Sequence, residues 1–277
     1  MTMAMAARGR FTAGGLAAVA AVGVLTTILA GCAAPAAPHD PVAADVMAPT
    51  NESDTRKRAR IRLELASSYF AEGKTEIALD ELRKVLAADP NYSEAYDLRG
   101  LILMRLGDMP GAEDSFRRAI ALNPRNADTL HNYGWLQCQQ ARYPEAERSF
   151  QQALAIPLYG GRSKTYLAMG VCQARAGNLN AAESNLRHAY ELDAGNPITG
   201  YNLSRVLYMR GDYERARFYI RRLNNSELAN AESLWLGIKV ENRLNDQQAL
   251  SQLGDQLRKR YPNSPERASL DRKAFDE

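Results

Sequence analysis

The chain has 277 residues, of which 45% are hydrophobic and 24% are charged, as is usual for a globular or repeat protein with a long core. The formal net charge is +3, and Arg8 and Arg10 lie in a segment that we expect to be removed. The remainder is therefore close to neutral, which argues against a nucleic-acid-binding protein, since that class needs a basic face. The three cysteines and three histidines do not have metal-ligand spacing, so no metal site is predicted.

Residues 1–31 have the pattern of a secretory signal peptide. Residues 1–10 carry two arginines and no acidic residue, and residues 11–29 carry no charge. The next residues, Leu29-Ala30-Gly31-Cys32, resemble the bacterial lipobox, in which the signal is cut before the cysteine and the thiol is acylated. An uncleaved membrane helix is the alternative, because about 20 apolar residues span a bilayer. The Ala/Gly-rich composition and the Cys that follows favour a lipoprotein with Cys32 as the lipidation site.

Residues 32–56 are rich in Ala, Pro and Asp and have no periodicity, which predicts a flexible tether. Lipoproteins that stay at the inner membrane often carry Asp directly after the lipidated cysteine. This sequence has Ala33 and Ala34 there, so the lipobox resemblance implies an outer-membrane location on the periplasmic face. The lipid on Cys32 would be the membrane anchor, and no other cofactor is expected.

From about residue 59 the sequence repeats with a period near 34. A small residue recurs after 34, 34, 36, 34 and 33 positions: Ala66, Gly100, Gly134, Gly170, Ser204 and Gly237. Another lies 12 positions after each of these: Ala78, Ala112, Ala146, Ala182, Ala216 and Ala249. Small residues at this spacing allow two antiparallel helices to touch, and stacking of such pairs builds a continuous core.

The repeat resembles the tetratricopeptide repeat (TPR), most clearly in residues 93–125, which carry Tyr96, Gly100, Leu103, Ala112, Phe116, Ala119 and Pro124 at the TPR spacing. We therefore predict an all-α fold, a right-handed superhelix of six TPR helix-turn-helix repeats over residues 57–264. The units are placed at about 59–92, 93–126, 127–162, 163–196, 197–229 and 230–264. Residues 265–277 would form a charged C-terminal tail, either as a short polar helix or as a frayed end.

Two cysteines fall within the repeats. Cys138 and Cys172 lie on the first helices of units three and four, and the loop at residues 156–161 adds two residues between them. Neighbouring helices can bring such positions within the roughly 6 Å that a disulfide requires between Cα atoms. The oxidising periplasm favours a disulfide, and two buried free thiols are the alternative. A catalytic thiol is not predicted, since no histidine is placed to activate it.

The inner face of the first helices is the candidate binding surface. Helical spacing directs a mixed aromatic, apolar and charged set of side chains towards this concave groove: Asp97, Leu101, Met104, His131, Trp135, Leu167, Val171, Tyr201, Arg205 and Tyr208. Such a surface suits an extended or helical segment of a partner protein. Alternatively, some of these side chains only fill gaps between adjacent first helices.

The sequence contains no recognisable catalytic constellation. It has no nucleophile elbow, no phosphate-binding glycine loop and no carboxylate pair at a mechanistic spacing, so neither an enzyme nor a small-molecule substrate is predicted. His131 is interpreted as a contact residue. Asn132 and Asn202 occupy similar places in their units, and the TPR resemblance implies that such an Asn bonds to neighbouring backbone.

The chain after the signal resembles the PilF/PilW family of type IV pilus biogenesis and stability lipoproteins, the pilotins. Three stretches carry the resemblance: Asn-Tyr-Gly at 132–134 with Arg-Tyr-Pro-Glu-Ala at 142–146, Leu-Tyr-Gly-Gly-Arg-Ser at 158–163, and Leu-Trp-Leu-Gly-Ile at 234–238 with the segment 257–264. The resemblance implies a monomeric lipoprotein that helps the type IV pilus secretin, the pore of the outer membrane, to localise and assemble.

Two other functions are open at this stage. The first is a TPR lipoprotein that acts as an adaptor for outer-membrane protein assembly or for cell-wall enzymes. The second is an enzyme with an unrecognised site, which would need a closed pocket with perturbed titratable groups. An open groove would argue against the enzyme.

Overall fold

The structure is a computed structural model that describes residues 53–275. The signal peptide at 1–31, the lipidation site Cys32 and the tether up to residue 52 lie outside the described residues. The described part is all-helical, with thirteen helices: α1 (Asp54–Ala71), α2 (Thr75–Ala88), α3 (Ser93–Arg105), α4 (Met109–Leu122), α5 (Ala127–Gln139), α6 (Tyr143–Ala155), α7 (Arg162–Arg175), α8 (Leu179–Leu192), α9 (Pro197–Met209), α10 (Tyr213–Asn224), α11 (Ala231–Arg243), α12 (Gln247–Arg260) and α13 (Pro265–Asp271).

The first twelve helices form six antiparallel pairs, from α1–α2 to α11–α12, and each pair packs on the next. First helices also contact the first helices of neighbouring units, from α1 against α3 to α9 against α11. Within the described residues, the second helices of neighbouring units make no such contacts. The first helices therefore form the inner, closer-packed layer of a curved stack, and the predicted all-α superhelix of six repeats is confirmed.

The small residues of each unit lie where its two helices approach most closely. A Cβ added to Gly100 would come within 2.6 Å of the Phe116 ring, and one added to Gly134 within 2.9 Å of the Phe150 ring. In unit five, Ser204 instead donates its hydroxyl to the Ala216 carbonyl at 2.9 Å. The 12-residue spacing in the sequence thus corresponds to direct contact between the paired helices.

The turn inside each pair needs one residue with left-handed backbone. Four units use glycine, with φ between 77° and 82°, at Gly73, Gly107, Gly177 and Gly211. Units three and six place Ala141 and Asn245 there, with φ of 59° and 58°. The left-handed region is sterically unfavourable for a residue with a Cβ atom, so glycine adopts the turn with the least backbone strain.

The N-terminal boundary corrects the predicted tether, which was expected to extend to residue 56. Helix α1 begins at Asp54, because Ser53 caps it by accepting the Arg56 backbone N–H at 3.2 Å. Arg56 is also tied to the first unit by an ion pair with Asp89. The first helix therefore includes residues whose composition alone resembles that of a linker.

The last helix, α13, covers the C-terminal end of the stack. Its Leu270 is buried against Leu234, Ile238 and Leu257 of unit six. Farther along, Phe275 stacks on Trp235 with ring centroids 5.7 Å apart. The segment predicted as a charged tail thus contributes apolar side chains that close the core at that end. Between residues 53 and 275, no helix is both long and apolar enough to cross a membrane.

Candidate protein-binding groove

All ten residues predicted for the concave groove are half-buried and lie on the first helices α3, α5, α7 and α9. A groove of about 510 Å³ lies on this inner face across units three to five. Five of the predicted residues line it: His131, Trp135, Leu167, Val171 and Arg205. Five further lining residues were not predicted: Lys164, Ala168, Arg175, Ile198 and Asn202.

The other five predicted residues have different surroundings. Leu101 and Met104 pack against the core around Phe116 and Leu136, so they fill the gap between units two and three. Tyr201 and Tyr208 pack against the core of units four to six. For these side chains the gap-filling alternative describes their contacts better than a place on the groove floor, because neighbouring first helices are close enough to cover them.

The last of the predicted residues that do not line the groove is Asp97, which is held within the inner layer of first helices by hydrogen bonds. Asn132 donates its side-chain amide to both carboxylate oxygens of Asp97 at 3.1 Å. Burial raises the pKa of Asp97 to about 6, although the hydrogen bond from Asn132 opposes the rise. The expectation that Asn132 and Asn202 bond to neighbouring backbone is therefore wrong for Asn132. Asn202 does bond to backbone, but to Ile198 of its own helix, at 2.8 Å.

His131 is a neutral, hydrogen-bonded residue at neutral pH. Its Nδ1 lies 2.9 Å from Thr165 Oγ1, and the Tyr159 hydroxyl lies 2.9 Å from the same oxygen. Burial lowers the pKa of His131 to about 4, and the positive charge of Lys164 adds to this effect. Lys164 in turn pairs with Asp128 at 2.5 Å. The irregular loop that carries Tyr159 is thereby fixed to the first helices of units three and four.

The groove is basic as well as aromatic. The guanidinium of Arg175 lies over the Trp135 ring, 5.1 Å from its centroid. Beyond Arg205, the ammonium of Lys239 lies 5.7 Å from the centroids of both Tyr208 and Trp235. The pKa of Lys239 is lowered, first by burial and then by the charge of Arg205. Several positive charges therefore share one partly buried surface.

The two cysteines of the repeats form a disulfide in the structure. Cys138 on α5 and Cys172 on α7 are buried, and their Cα atoms are 5.8 Å apart. The two-residue insertion at the loop before α7 offsets the two positions, yet the helices still bring them together. The bond lies among Ala146, Phe150 and Met169, so it joins units three and four inside their shared core.

No cluster of metal-ligating side chains is found in the part of the chain that the structure describes. Residues 53–275 contain no group of three His, Cys, Asp or Glu side chains that could hold a metal ion. Of the perturbed groups on the inner face, Asp97 is bonded to Asn132 beside the groove, and His131, which lines the open groove, is bonded to Thr165. This geometry suits contact with a polypeptide better than enclosure of a small substrate.

Three models of the tetratricopeptide repeat family match residues 63–127, 115–148 and 173–234. The chain is a tetratricopeptide-repeat protein. This TPR protein is 29% identical over 204 residues to the type IV pilus assembly protein PilF of Pseudomonas aeruginosa, covering 74% of this chain and 81% of PilF.

Solved structures of the same kind agree with this relationship. The TPR protein superposes on PilW, described as a widely conserved type IV pilus biogenesis factor, with a TM-score of 0.73 and 28% identity, over 77% of this chain and 98% of PilW. For the structure of Pseudomonas aeruginosa PilF, the TM-score is 0.72 and the identity 27%, over 80% of this chain and 100% of PilF. The similarity supports a TPR protein of type IV pilus biogenesis.

Proposed function

We propose that this chain is a pilotin, a lipid-anchored outer-membrane protein that binds the type IV pilus secretin and promotes its localisation and multimerisation. The observation that carries the proposal is the similarity to PilW, which extends over 98% of that chain at 28% identity. A match over nearly the whole repeat stack includes the units that line the groove, whereas a short TPR match would concern only the repeat consensus.

The groove supports a binding function. It is open along the inner face of units three to five, and its lining combines aromatic, aliphatic and positively charged side chains. Surfaces of this kind hold a segment of another protein through many contacts, and they require no chemical step. The TPR scaffold and the pilus biogenesis relatives point in the same direction, towards protein–protein interaction without catalysis.

The anchoring part of the proposal rests on the sequence at Leu29-Ala30-Gly31-Cys32. A lipid on Cys32 would keep the repeats at the membrane in which the secretin ring must form. Concentrating the two partners on one surface raises the effective concentration of each for the other.

The test compares the secretin in outer membranes with and without this gene, on a gel that preserves the ring. We expect the ring to be lost in the deletion strain. Wild-type protein should restore it, and the Cys32→Ala variant, which cannot be acylated, should not. An unchanged ring in the deletion strain would refute the pilotin role and favour a TPR adaptor for other outer-membrane or cell-wall proteins.

A further inference from the structure

Two arginines, Arg175 and Arg205, line the groove. Among residues 53–275, neither Arg175 nor Arg205 makes a hydrogen bond or ion pair with any carboxylate. The Nε atom of Arg205 is buried and has no acceptor. A buried guanidinium N–H without an acceptor is costly, because it has lost its water and gained nothing in exchange.

Several arginines of the second helices and of the turns that precede them do have carboxylate partners. The buried Glu183 holds both Arg210 and Arg215, and Glu113 pairs with both Arg117 and Arg142. In these two clusters, a buried or half-buried carboxylate neutralises the arginines. The absence of such a carboxylate beside Arg175 and Arg205 leaves two guanidinium groups available on one groove.

The positive charge is concentrated next to an apolar floor. Trp135, Leu167 and Val171 line the same groove as the two arginines. Ile198, also on this lining, is 60% exposed and adds to the apolar surface of the groove. A ligand that covers this surface must therefore offer apolar groups and negative charge within a short distance of each other.

The neighbouring Lys239 strengthens the case. Its pKa is lowered, first by burial and then by the positive charge of Arg205. A negatively charged ligand would supply the missing acceptor of Arg205 at this basic end of the groove.

We propose that the groove across units three to five binds an acidic segment of the partner protein, whose carboxylates pair with Arg175 and Arg205 while adjacent apolar residues pack on Trp135, Leu167 and Val171. This inference rests on the proposed function, since it gives the chemistry of the partner segment. The occupant is a polypeptide because the open groove, about 510 Å³ in volume, runs across three consecutive first helices, α5, α7 and α9.

The binding test uses a displayed library of random 12-residue peptides, selected on the purified full chain. Selected peptides are expected to carry Asp or Glu beside apolar residues. In fluorescence polarisation, replacing the acidic residue by its amide should weaken binding by about tenfold or more, and the loss should be smaller at high salt. Selected peptides without acidic residues, or no selected peptides at all, would overturn the inference.

Variants of the protein make the test specific. The double variant Arg175→Gln/Arg205→Gln should bind the selected peptides about tenfold or more weakly than the wild type does. The control variant Arg148→Gln/Arg187→Gln removes equal charge from exposed positions of α6 and α8, and it should bind the peptides as the wild type does. Arg175 is exposed near the end of α7, so Arg175→Gln alone keeps the fold and should weaken binding several-fold. Equal binding by all these variants would overturn the inference.

The gel assay of the secretin ring separates this inference from the proposed function. If wild type restores the ring and Arg175→Gln/Arg205→Gln restores it equally well, the acidic-segment inference fails while the pilotin role stands. If deletion of the gene leaves the ring unchanged, the pilotin role fails, and the peptide measurements decide the inference by themselves.

Discussion

Asn132 and Asp97 join the inner helices of units two and three, because the amide of Asn132 donates to both oxygens of the Asp97 carboxylate. The pKa of this carboxyl is about 6 in the folded protein, compared with an ordinary value of 3.8. The folded state therefore retains a proton that the unfolded state has lost between these two pH values. The contribution of Asp97 to the free energy of unfolding is greatest at low pH and falls as pH rises through 6.

Asp97→Asn should therefore stabilise the protein at neutral pH. The amide keeps an acceptor for Asn132 and removes the buried charge, so we expect a gain of up to about 3 kcal/mol at pH 7.5 and almost none at pH 4. Urea unfolding at both pH values measures the difference. Equal effects of the substitution at pH 4 and pH 7.5 would contradict the raised pKa of Asp97.

His131 contributes the opposite pH dependence. Its folded pKa of about 4 lies below the ordinary 6.5, so the stability that depends on its neutral form is complete above 6.5 and is lost as pH falls through 4. His131→Asn removes this loss, and should make the protein more stable than wild type at pH 4.5 by up to about 3 kcal/mol, with little change at pH 7.5. The same urea titrations provide the measurement.

The pKa shifts of Asp97 and His131 have opposite effects on the free energy of unfolding. Their combined contribution in the wild type should therefore vary little between pH 4 and 6. Each single variant then exposes the slope of the remaining residue, with opposite signs. A double variant, Asp97→Asn/His131→Asn, is the control and should again be nearly flat. Slopes of the same sign in the two single variants would disprove this explanation.

The Cys138–Cys172 disulfide should stabilise the native protein by restricting the unfolded chain. The bond closes a loop with a sequence separation of 34 residues, for which we expect about 4 kcal/mol of stabilisation. Cys138→Ala/Cys172→Ala should lower the free energy of unfolding by that amount. Added reductant should lower the urea midpoint of the wild type and leave the double variant unchanged. A wild type that does not respond to reductant would contradict a disulfide at this position.

The close approach of helices within unit three predicts a strong effect of Gly134→Ala. The new Cβ would lie 2.9 Å from the Phe150 ring and 3.2 Å from the Ala146 carbonyl, and the backbone atom cannot move easily. We expect a loss of about 1–3 kcal/mol. Gly200→Ala is the matched control, since its nearest neighbour is 4.0 Å away, and it should gain about 0.5–1 kcal/mol from helix propensity. Thermal unfolding of both variants provides the comparison.

The repeat architecture was predictable because its physical requirements are local. Contact of the paired helices needs a small residue such as Gly100 opposite Phe116, and the turn favours Gly107, so both leave a mark at fixed spacing in the sequence. The start of α1 was less visible. Ser53 and the pairing of Arg56 with Asp89 extend the helix into a segment that looks like a linker, and the second of these depends on a residue 33 positions away.

The groove was predictable only in part. Helical spacing identifies the inner face, and it correctly placed Trp135 and Leu167 on the lining. It does not show how closely the next first helix approaches, so Leu101 and Met104 were assigned to an open surface although they pack against the core. Arg175 was missed because a long side chain reaches over Trp135 of the preceding unit, which a single helical wheel does not show.

In a stack whose units contact only their neighbours, a pulling force acts on each junction between units in turn, and the extensions of the junctions add up. The Cys138–Cys172 bond adds a covalent link at one of these junctions, between units three and four. The groove crosses that junction, with Trp135 on one side and Val171 on the other. Under mechanical load, the junctions without a disulfide would extend first, while the width of the groove at the junction of units three and four stays constant.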